Sequence, residues 1–199
     1  MISTISQERT TKVKQTPPYI SWDAFQRRYL TREDGYKYEW LNGIVEKTKR
    51  TMDYTQFYII QNLRDYFELL RFERKIEGIL ITEGDVFFLE KHRRPDIAYF
   101  TTKQIDDAAE GINPVPKFVI EIISNSDAIN RVNKKMQNYR DANVEVVWHI
   151  FPQSQEVHIY GGDNLDTVHI KRGDMICTAN PTLPDFMLSV SDVFKRKQQ

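Results

Sequence analysis

The fold of this chain is decided by two linked segments, RRPDIAYF (residues 93–100) and KFVIEIISNSDAINRVNKKMQNYRDANV (residues 117–144). Pro95 precedes a short apolar run, and proline suits the start of a strand rather than its middle. Glu121 lies inside the otherwise apolar run Phe118–Ile123. Because burying a bare carboxylate is energetically costly, we expect a cation or hydrogen-bond donors to meet Glu121.

The two acids of this stretch, Asp96 and Glu121, are candidates for a shared metal site. Side chains alternate along a strand, so Glu121 shares one face with Val119 and Ile123. If the two strands are neighbours, the two carboxylates converge on one point. Two carboxylates, with waters and a substrate phosphate, are a usual way of holding Mg²⁺. The sequence therefore predicts that Asp96 and Glu121 bind Mg²⁺ or Mn²⁺.

The helix predicted over residues 127–142 carries two adjacent lysines, which the helical phase distinguishes. At about 100° per residue, Lys135 falls on the apolar side with Val132 and Tyr139, whereas Lys134 points toward solvent. Lys135 is thus aimed at the strand of Glu121, where it would stabilise negative charge at a reacting phosphorus or orient a water. A buried ion pair without catalysis would have the same pattern, and the residues alone leave both interpretations open.

Upstream, the sequence predicts two helices and a hairpin. A short helix is predicted over Trp22–Leu30. Asn42-Gly43 is a strong hairpin signal between two strand patterns within Tyr36–Lys49. Glu39 lies in the first of these strands and is a candidate auxiliary metal ligand. The longest helix is predicted over Asp53–Phe72, since apolar residues recur there at spacings of three and four.

The remaining segments complete a sheet. Residues 76–90 are predicted to form one long strand or two, with Gly84 at a bulge or turn. Glu83 is a second candidate auxiliary ligand in this segment. A short helix is predicted over 101–109, and further strands are predicted over 144–151, 155–160 and 167–171. This order of elements indicates a central mixed sheet flanked by helices, in the α/β or α+β class.

The composition limits the class of protein. The 199 residues suit one domain, predicted over residues 19–199, after a flexible N-terminal arm over residues 1–18. The formal charge is +0, and the clusters Lys47–Arg50, Lys91–Arg94 and Lys195–Lys197 are each interpreted as solvated surface charge. A single cysteine, no secretory signal and no apolar run long enough for a bilayer predict a cytoplasmic protein with no membrane partner.

Several motifs, taken in order, resemble a known family. The segments Arg94–Ile97, Phe118–Ser126 and Tyr139–Trp148, with Lys135 and the hairpin motif Tyr38–Gly43, are similar to those of the Uma-type restriction endonucleases. This bacterial family lies within the PD-(D/E)XK nuclease superfamily. The resemblance extends from about residue 19 to residue 160, which is most of the chain.

The resemblance implies a restriction-endonuclease-like fold, with the hairpin as an N-terminal extension, and Mg²⁺-dependent hydrolysis of DNA phosphodiester bonds. It implies metal-ligand roles for Asp96 and Glu121 and a catalytic role for Lys135. The superfamily's lysine commonly stands two residues after the second acid, where this chain has Ile123. In the Uma-type branch the lysine stands on the following helix, which matches Lys135. Because superfamily members often pair to cut duplexes, a homodimer is also expected.

Some positions depart from the family's pattern. Gln56 stands about where the family often has a histidine, Ser124–Asp127 replaces Ser-Pro-Ser-Thr, and Phe151 replaces an aspartate. These departures keep open a second hypothesis, a catalytically inactive nuclease-fold module that binds nucleic acid or protein. A small-molecule hydrolase is a third hypothesis, although His149 and His158 have no serine or cysteine partner in the pattern.

Overall fold

A computed structural model of the chain describes residues 19–49, 56–124 and 127–196. Within these ranges the chain forms a six-stranded sheet, a four-stranded sheet and a two-stranded hairpin, with helices packed against them. The flexible arm predicted over residues 1–18 lies outside the described residues. In the described ranges, no helix is both long enough and apolar enough to cross a membrane.

The elements follow one another in an order close to the predicted one. The helices are α1 (Trp22–Phe25), continued by a π-helical turn (Gln26–Leu30), α2 (Phe57–Phe72), α3 (Thr102–Ala109), α4 (Ile129–Asp141) and α5 (Val190–Val193). The strands are β1 (Tyr36–Leu41), β2 (Ile44–Lys49), β3 (Ile79–Thr82), β4 (Val86–Phe88), β5 (Lys91–Arg93), β6 (Ile97–Phe100), β7 (Phe118–Ile122), β8 (Val146–Phe151), β9 (Glu156–Gly161), β10 (Thr167–Arg172), β11 (Ile176–Ala179) and β12 (Leu183–Ser189).

The larger sheet is mixed, as the sequence predicts. Its strand order is β10-β9-β8-β7-β6-β3. Strands β7 and β8 are parallel and are joined through α4, whereas the other neighbouring pairs are antiparallel. A parallel pair needs a crossover connection of this kind. Strand β7 therefore lies inside the sheet, buried along its whole length, and carries Glu121.

The smaller sheet is built on the predicted hairpin and has the order β2-β1-β5-β4. Asn42 and Gly43 form its turn with φ values of 46° and 87°. Glycine is required at position 43 for two reasons. Its φ is positive, and a Cβ there would lie 2.0 Å from a ring carbon of Tyr19. Residues 76–90 form two strands rather than one, and β3 and β4 belong to different sheets, separated at Gly84.

Two helices cover opposite faces of the larger sheet. The apolar side of α2, including Ile59, Leu63 and Phe67, packs on the face that carries Ile120 and Trp148. Helix α4 contributes Met136 and Tyr139 to the other face, together with Val119 and Val147 from the strands. Glu121 shares this second face, because side chains alternate along a strand. The predicted phase of α4 thus places Lys135 near the buried acid.

The C-terminal hairpin of β11 and β12 is absent from the sequence prediction. Its register shifts between Thr178 and Ala179, so the strands do not show an uninterrupted alternation of apolar and polar residues. Phe186 and Cys177 from this hairpin are buried in the core on the α2 side of the larger sheet. The hairpin closes that side of the core and leaves the face of Glu121 to α4 and the smaller sheet.

Candidate functional site

Asp96 and Glu121 lie side by side at the centre of the larger sheet. Ile97 pairs with Ile120 in the antiparallel ladder of β6 and β7, so the next residues in register are Asp96 and Glu121. The backbone N–H of Ile122 donates a hydrogen bond of 2.8 Å to Oδ2 of Asp96. The structure thus brings together the two acids that the sequence predicts as a pair.

Helix α4 places two donors on the Glu121 carboxylate. Nζ of Lys135 lies 2.8 Å from Oε2 and 3.0 Å from Oε1 of Glu121. One helical turn later, the hydroxyl of Tyr139 donates to the same Oε1. Lys134, by contrast, is half-exposed and pairs with Glu46. The contact between Lys135 and Glu121 agrees with the orientation predicted from helical phase.

Lys37, on β1, is a site residue that the sequence reasoning missed. Its Nζ donates to Oδ1 of Asp96 at 3.2 Å, and its side chain is only 10% exposed. The signal was present, since Lys37 and Glu39 are two residues apart on a predicted strand and therefore point the same way. The smaller sheet thus contributes both a cation and a carboxylate to the acid pair.

Glu39 is buried and already surrounded by donors. Its Oε2 accepts from Arg93 at 2.9 Å, its Oε1 accepts from the backbone N–H of Arg94 at 2.9 Å, and Nζ of Lys135 is 4.0 Å from Oε1. Burial alone would raise the pKa of Glu39, but the charges of Lys135, Arg93 and Lys37 outweigh it and lower the pKa to about 2. Glu39 is therefore ionised and holds cations in place beside the acid pair.

The interpretation of Lys91–Arg94 as solvated surface charge is wrong. Arg93 is fully buried, and His92 is 1% exposed. The guanidinium of Arg93 donates to Glu39, to Glu46 at 2.8 Å and to Oδ1 of Asn138 at 2.7 and 3.0 Å. Glu39 and Glu46 face each other across β1 and β2, so the buried cation separates two like charges. Arg93 is thus one of the residues that join the smaller sheet to α4, and it is the most buried of them.

The charges of the cluster set the protonation states of its members. Burial raises the pKa of Glu121, and although Lys135 opposes this, the net shift is upward. Burial also raises the pKa of Asp96, but Lys37 and Lys135 outweigh it and lower that pKa. For Lys135, burial lowers the pKa, and the charges of Glu121, Glu39 and Asp96 reverse this and raise it. Lys135 is therefore a permanent cation at neutral pH.

The acid pair opens into a cavity of about 710 Å³ between the two sheets, α2 and the start of α4. Glu83 also lines this cavity, and its backbone N–H donates to the carbonyl oxygen of Asp96 at 3.1 Å. The structure therefore brings both predicted auxiliary residues to the site. The cavity wall carries basic side chains as well, namely Lys37, Lys49, Arg64, Arg131 and Lys135.

His149 is a further cavity residue that the sequence reasoning did not assign to the site. It lies directly beside Glu121 in the parallel ladder of β7 and β8 and is 3% exposed. Burial lowers its pKa to about 4, and the charges of His158 and Lys135 act in the same direction. Its imidazole is therefore neutral at neutral pH, with one N–H and one lone pair.

The donor set suits a hard divalent cation. Asp96 and Glu121 offer carboxylate oxygens, which Mg²⁺ and Mn²⁺ prefer, at the floor of the cavity of about 710 Å³. No group of three histidine, cysteine, aspartate or glutamate residues within 19–49, 56–124 and 127–196 is arranged to hold a metal. The residues present thus fit an ion that takes its other ligands from water and a substrate, and not a closed structural metal site.

Comparisons with known proteins show the family and the fold of the chain. The model of the Uma2 family, described as "Putative restriction endonuclease", matches residues 22–191. Among solved structures, a protein described as a "putative nuclease belonging to DUF820" from Anabaena variabilis is similar, with a TM-score of 0.72 and 19% sequence identity. The match covers 88% of this chain and 97% of that chain, and it confirms the predicted fold. Among curated proteins, none matches this chain.

Proposed function

The chain belongs to the Uma2 family, and from this membership we propose that it is an Mg²⁺-dependent endonuclease that hydrolyses DNA phosphodiester bonds. The observation that carries the proposal is the contact of Lys135 with Glu121, beside Asp96, at the floor of an open cavity. Two acids and a lysine converging on a space large enough for a phosphate are suited to phosphodiester chemistry.

In this proposal Asp96 and Glu121 hold the metal, with Mn²⁺ as a substitute for Mg²⁺. When bound, the metal polarises the phosphate and lowers the pKa of a bound water. Lys135 stays charged and stabilises the negative charge that develops on the phosphate oxygens in the transition state. Tyr139 and Glu39 restrict the positions of Glu121 and Lys135, so that neither has to reorganise during the reaction.

DNA is the proposed substrate because basic side chains line the same cavity as the acids. Lys49 and Arg64 are exposed on two different elements at its rim, and Arg131 donates from α4 to the hydroxyl of Thr48 at 3.2 Å. Such cations contact phosphates without reading the sequence of bases. A local basic rim also explains how a chain with a formal charge of +0 can bind a polyanion.

The test is cleavage of supercoiled plasmid and of single-stranded DNA by the purified chain with Mg²⁺ or Mn²⁺. Asp96→Asn, Glu121→Gln and Lys135→Ala should each abolish cleavage, whereas Lys134→Ala, one residue away on α4, should retain it. If the wild-type chain cuts none of these DNAs with either metal, the nuclease proposal fails.

We also propose that the chain forms a homodimer. Sedimentation equilibrium in the same buffer tests this proposal, which predicts twice the mass of one chain.

A catalytically inactive module that binds nucleic acid or protein is the second candidate. One observation favours it: Lys135 and Lys37 already compensate Glu121 and Asp96, so the acids have cationic partners without a metal. Calorimetric titration with Mn²⁺ separates the two candidates. A site that is lost in Glu121→Gln favours the nuclease, and no heat of binding in the wild-type chain favours the inactive module.

A further inference from the structure

A row of polar residues crosses the larger sheet, and the proposed nuclease uses only part of it. Asp96, Glu121 and His149 occupy neighbouring positions on three adjacent strands. Residues in direct register have their side chains on the same face. His149 is therefore on the face of the acid pair, and it lines the same cavity. The row continues to His158 on β9, which does not line the cavity.

The ring of His149 packs against aromatic neighbours, but its two nitrogens have no hydrogen-bond partner among the described residues. The imidazole packs against Tyr160 and Phe151, with ring centroids at 4.9 and 6.3 Å. In the part of the chain that the structure describes, no group forms a hydrogen bond with either nitrogen. Among the described residues, the one buried side-chain nitrogen or oxygen without a hydrogen-bond partner is Nδ1 of His92, so the unpaired nitrogens of His149 are accessible from the cavity, where a ligand can reach them.

We propose that His149 donates a hydrogen bond to a phosphate oxygen of DNA bound in the cavity. This inference rests on the proposed function, since it concerns the phosphate that would lie above Asp96 and Glu121. An imidazole carries at least one N–H in either protonation state, and a phosphate oxygen accepts a hydrogen bond from it. Lys135, charged and lining the same cavity, provides the second attraction for that phosphate.

Metal coordination is the competing role for this imidazole. Within the described ranges, no three histidine, cysteine, aspartate or glutamate residues are arranged to hold a metal ion. His149 therefore does not form a three-ligand set with Asp96 and Glu121. The cavity residues next to it include a cation, Lys135, and not only carboxylates. The combination of an N–H donor and a neighbouring lysine suits an anion better than a divalent cation.

The experiment measures binding of inorganic phosphate and of a short DNA duplex to the full chain in EDTA, so that neither metal nor cleavage is needed. His149→Phe preserves a ring of similar size without a donor, and it should weaken DNA binding about tenfold, as expected for one hydrogen bond to a charged group. His149→Gln and His149→Asn each place an amide N–H near one ring nitrogen. At least one of them should bind within about threefold of the wild type.

His158→Gln is the matched control, because His158 lies in the same row but outside the cavity; it should bind as the wild type does. In the wild-type chain, nitrogen NMR should show the ring resonances of His149 shifting when inorganic phosphate is added. This measurement does not depend on the folding of any variant. Thermal unfolding of each variant identifies losses of binding that come from misfolding.

Two results would overturn the inference. One is that a folded His149→Phe variant binds DNA as tightly as the wild type does, while the ring resonances of His149 in the wild type do not shift when phosphate is added. The other is a shift of those resonances by Mg²⁺ alone and not by phosphate, which would make His149 a metal ligand. Failure of the nuclease proposal alone would give a different result. DNA and phosphate binding would depend on His149, but no metal would support cleavage.

Discussion

Lys135 donates to both carboxylate oxygens of Glu121, at 2.8 and 3.0 Å, from the helix that follows the strand of Glu121. Both side chains are largely buried, at 14% and 5% exposure. The contact joins Glu121, the only acidic residue of the described strand β7, to Lys135, the only lysine on the apolar side of α4. It therefore gives Glu121 the cation that its burial requires.

The first prediction concerns the stability of this ion pair. Lys135→Met leaves Glu121 buried with Tyr139 as its remaining donor, so the free energy of unfolding should fall by about 3–5 kcal/mol. Urea denaturation at pH 7 measures it. In the double variant Lys135→Met/Glu121→Gln the loss should be smaller, because no unpaired charge remains.

Lys134→Met is the matched control for this prediction. Lys134 stands on the same helix, is half-exposed and pairs with Glu46, so its removal should cost at most about 1 kcal/mol. Equal losses for Lys134→Met and Lys135→Met would contradict the assignment of Lys135 as the buried partner of Glu121.

Local patterns explain why much of the fold and half of the site could be predicted. The Asn42-Gly43 turn, the apolar run of β7 and the helical period of α4 are each readable within a few residues of sequence. Together they place Glu121 in a buried strand and Lys135 on the side of α4 that faces it. Such predictions succeed because strand and helix periodicity decide which way a side chain points.

The rest of the site depends on contacts between distant segments. Arg93 meets Glu39 and Asn138 at sequence separations of 54 and 45 residues, and no short pattern encodes that meeting. Arg93 was therefore interpreted as surface charge within a basic cluster. The same holds for His149, whose place beside Glu121 arises only when β8 pairs with β7. For Lys37, the sequence indicates a shared face with Glu39, but its contact with Asp96 arises only in the folded chain.

The second prediction concerns metal affinity and Lys37. Its Nζ lies 3.2 Å from Oδ1 of Asp96, so it competes with a cation for that oxygen. Lys37→Met should therefore tighten Mn²⁺ binding, by about tenfold if the lost repulsion is about 1.4 kcal/mol. Calorimetry without DNA measures this affinity directly.

Lys47→Met serves as the control for Lys37→Met. Lys47 is on the neighbouring strand β2, but its Nζ lies 3.6 Å from the ring centroid of Tyr36, on the aromatic side of the smaller sheet. Its removal should leave Mn²⁺ affinity unchanged. Weaker Mn²⁺ binding in Lys37→Met than in the wild type would show that Lys37 supports the metal site instead of competing with it.

The third prediction concerns acid stability and Glu39. Its pKa in the folded chain is about 2, below the ordinary value of 4.5. A lowered carboxyl pKa stabilises the fold fully above the unfolded-state pKa, and this contribution is lost as the pH falls through the folded-state pKa. Glu39→Gln should thus be less stable than the wild type at pH 7, and the difference should shrink between about pH 4.5 and 2.

Urea denaturation of both chains across this pH range provides the measurement. Glu33→Gln is a suitable control, because Glu33 is exposed and its removal should leave the pH dependence of stability nearly unchanged. A gap between wild type and Glu39→Gln that stays constant from pH 7 to 2 would mean that the charge of Glu39 contributes nothing to folding.

The fourth prediction concerns Arg93 as a buried link between the smaller sheet and α4. Arg93→Lys keeps the charge but cannot reach Glu39, Glu46 and Asn138 together, because a single ammonium lacks the planar fork of a guanidinium. The free energy of unfolding should fall by about 3 kcal/mol. Arg71→Lys, on the exposed side of α2, should change it little. Equal stability of Arg93→Lys and the wild type would show that charge alone holds these elements together.

The fifth prediction concerns the proposed path of DNA across the cavity rim. Each phosphate contact releases counterions, so the logarithm of the binding constant falls with the logarithm of salt concentration in proportion to the number of contacts. Arg64→Gln, on the exposed side of α2 beside the cavity, should reduce the magnitude of this slope by about 1. Lys49→Gln, from the opposite wall, should do the same, and the double variant should lose about 2.

Arg28→Gln distinguishes a local rim from general charge attraction. Arg28 is exposed on the π-helical turn after α1, away from the cavity lining, and its loss removes the same charge as Arg64→Gln. Fluorescence anisotropy in EDTA over a range of salt concentrations gives the slopes of the wild type and the four variants without cleavage. If the DNA follows the cavity rim, only charges on that rim contribute phosphate contacts. An equal reduction of the slope by Arg28→Gln and by Arg64→Gln would therefore show that the DNA does not follow the rim.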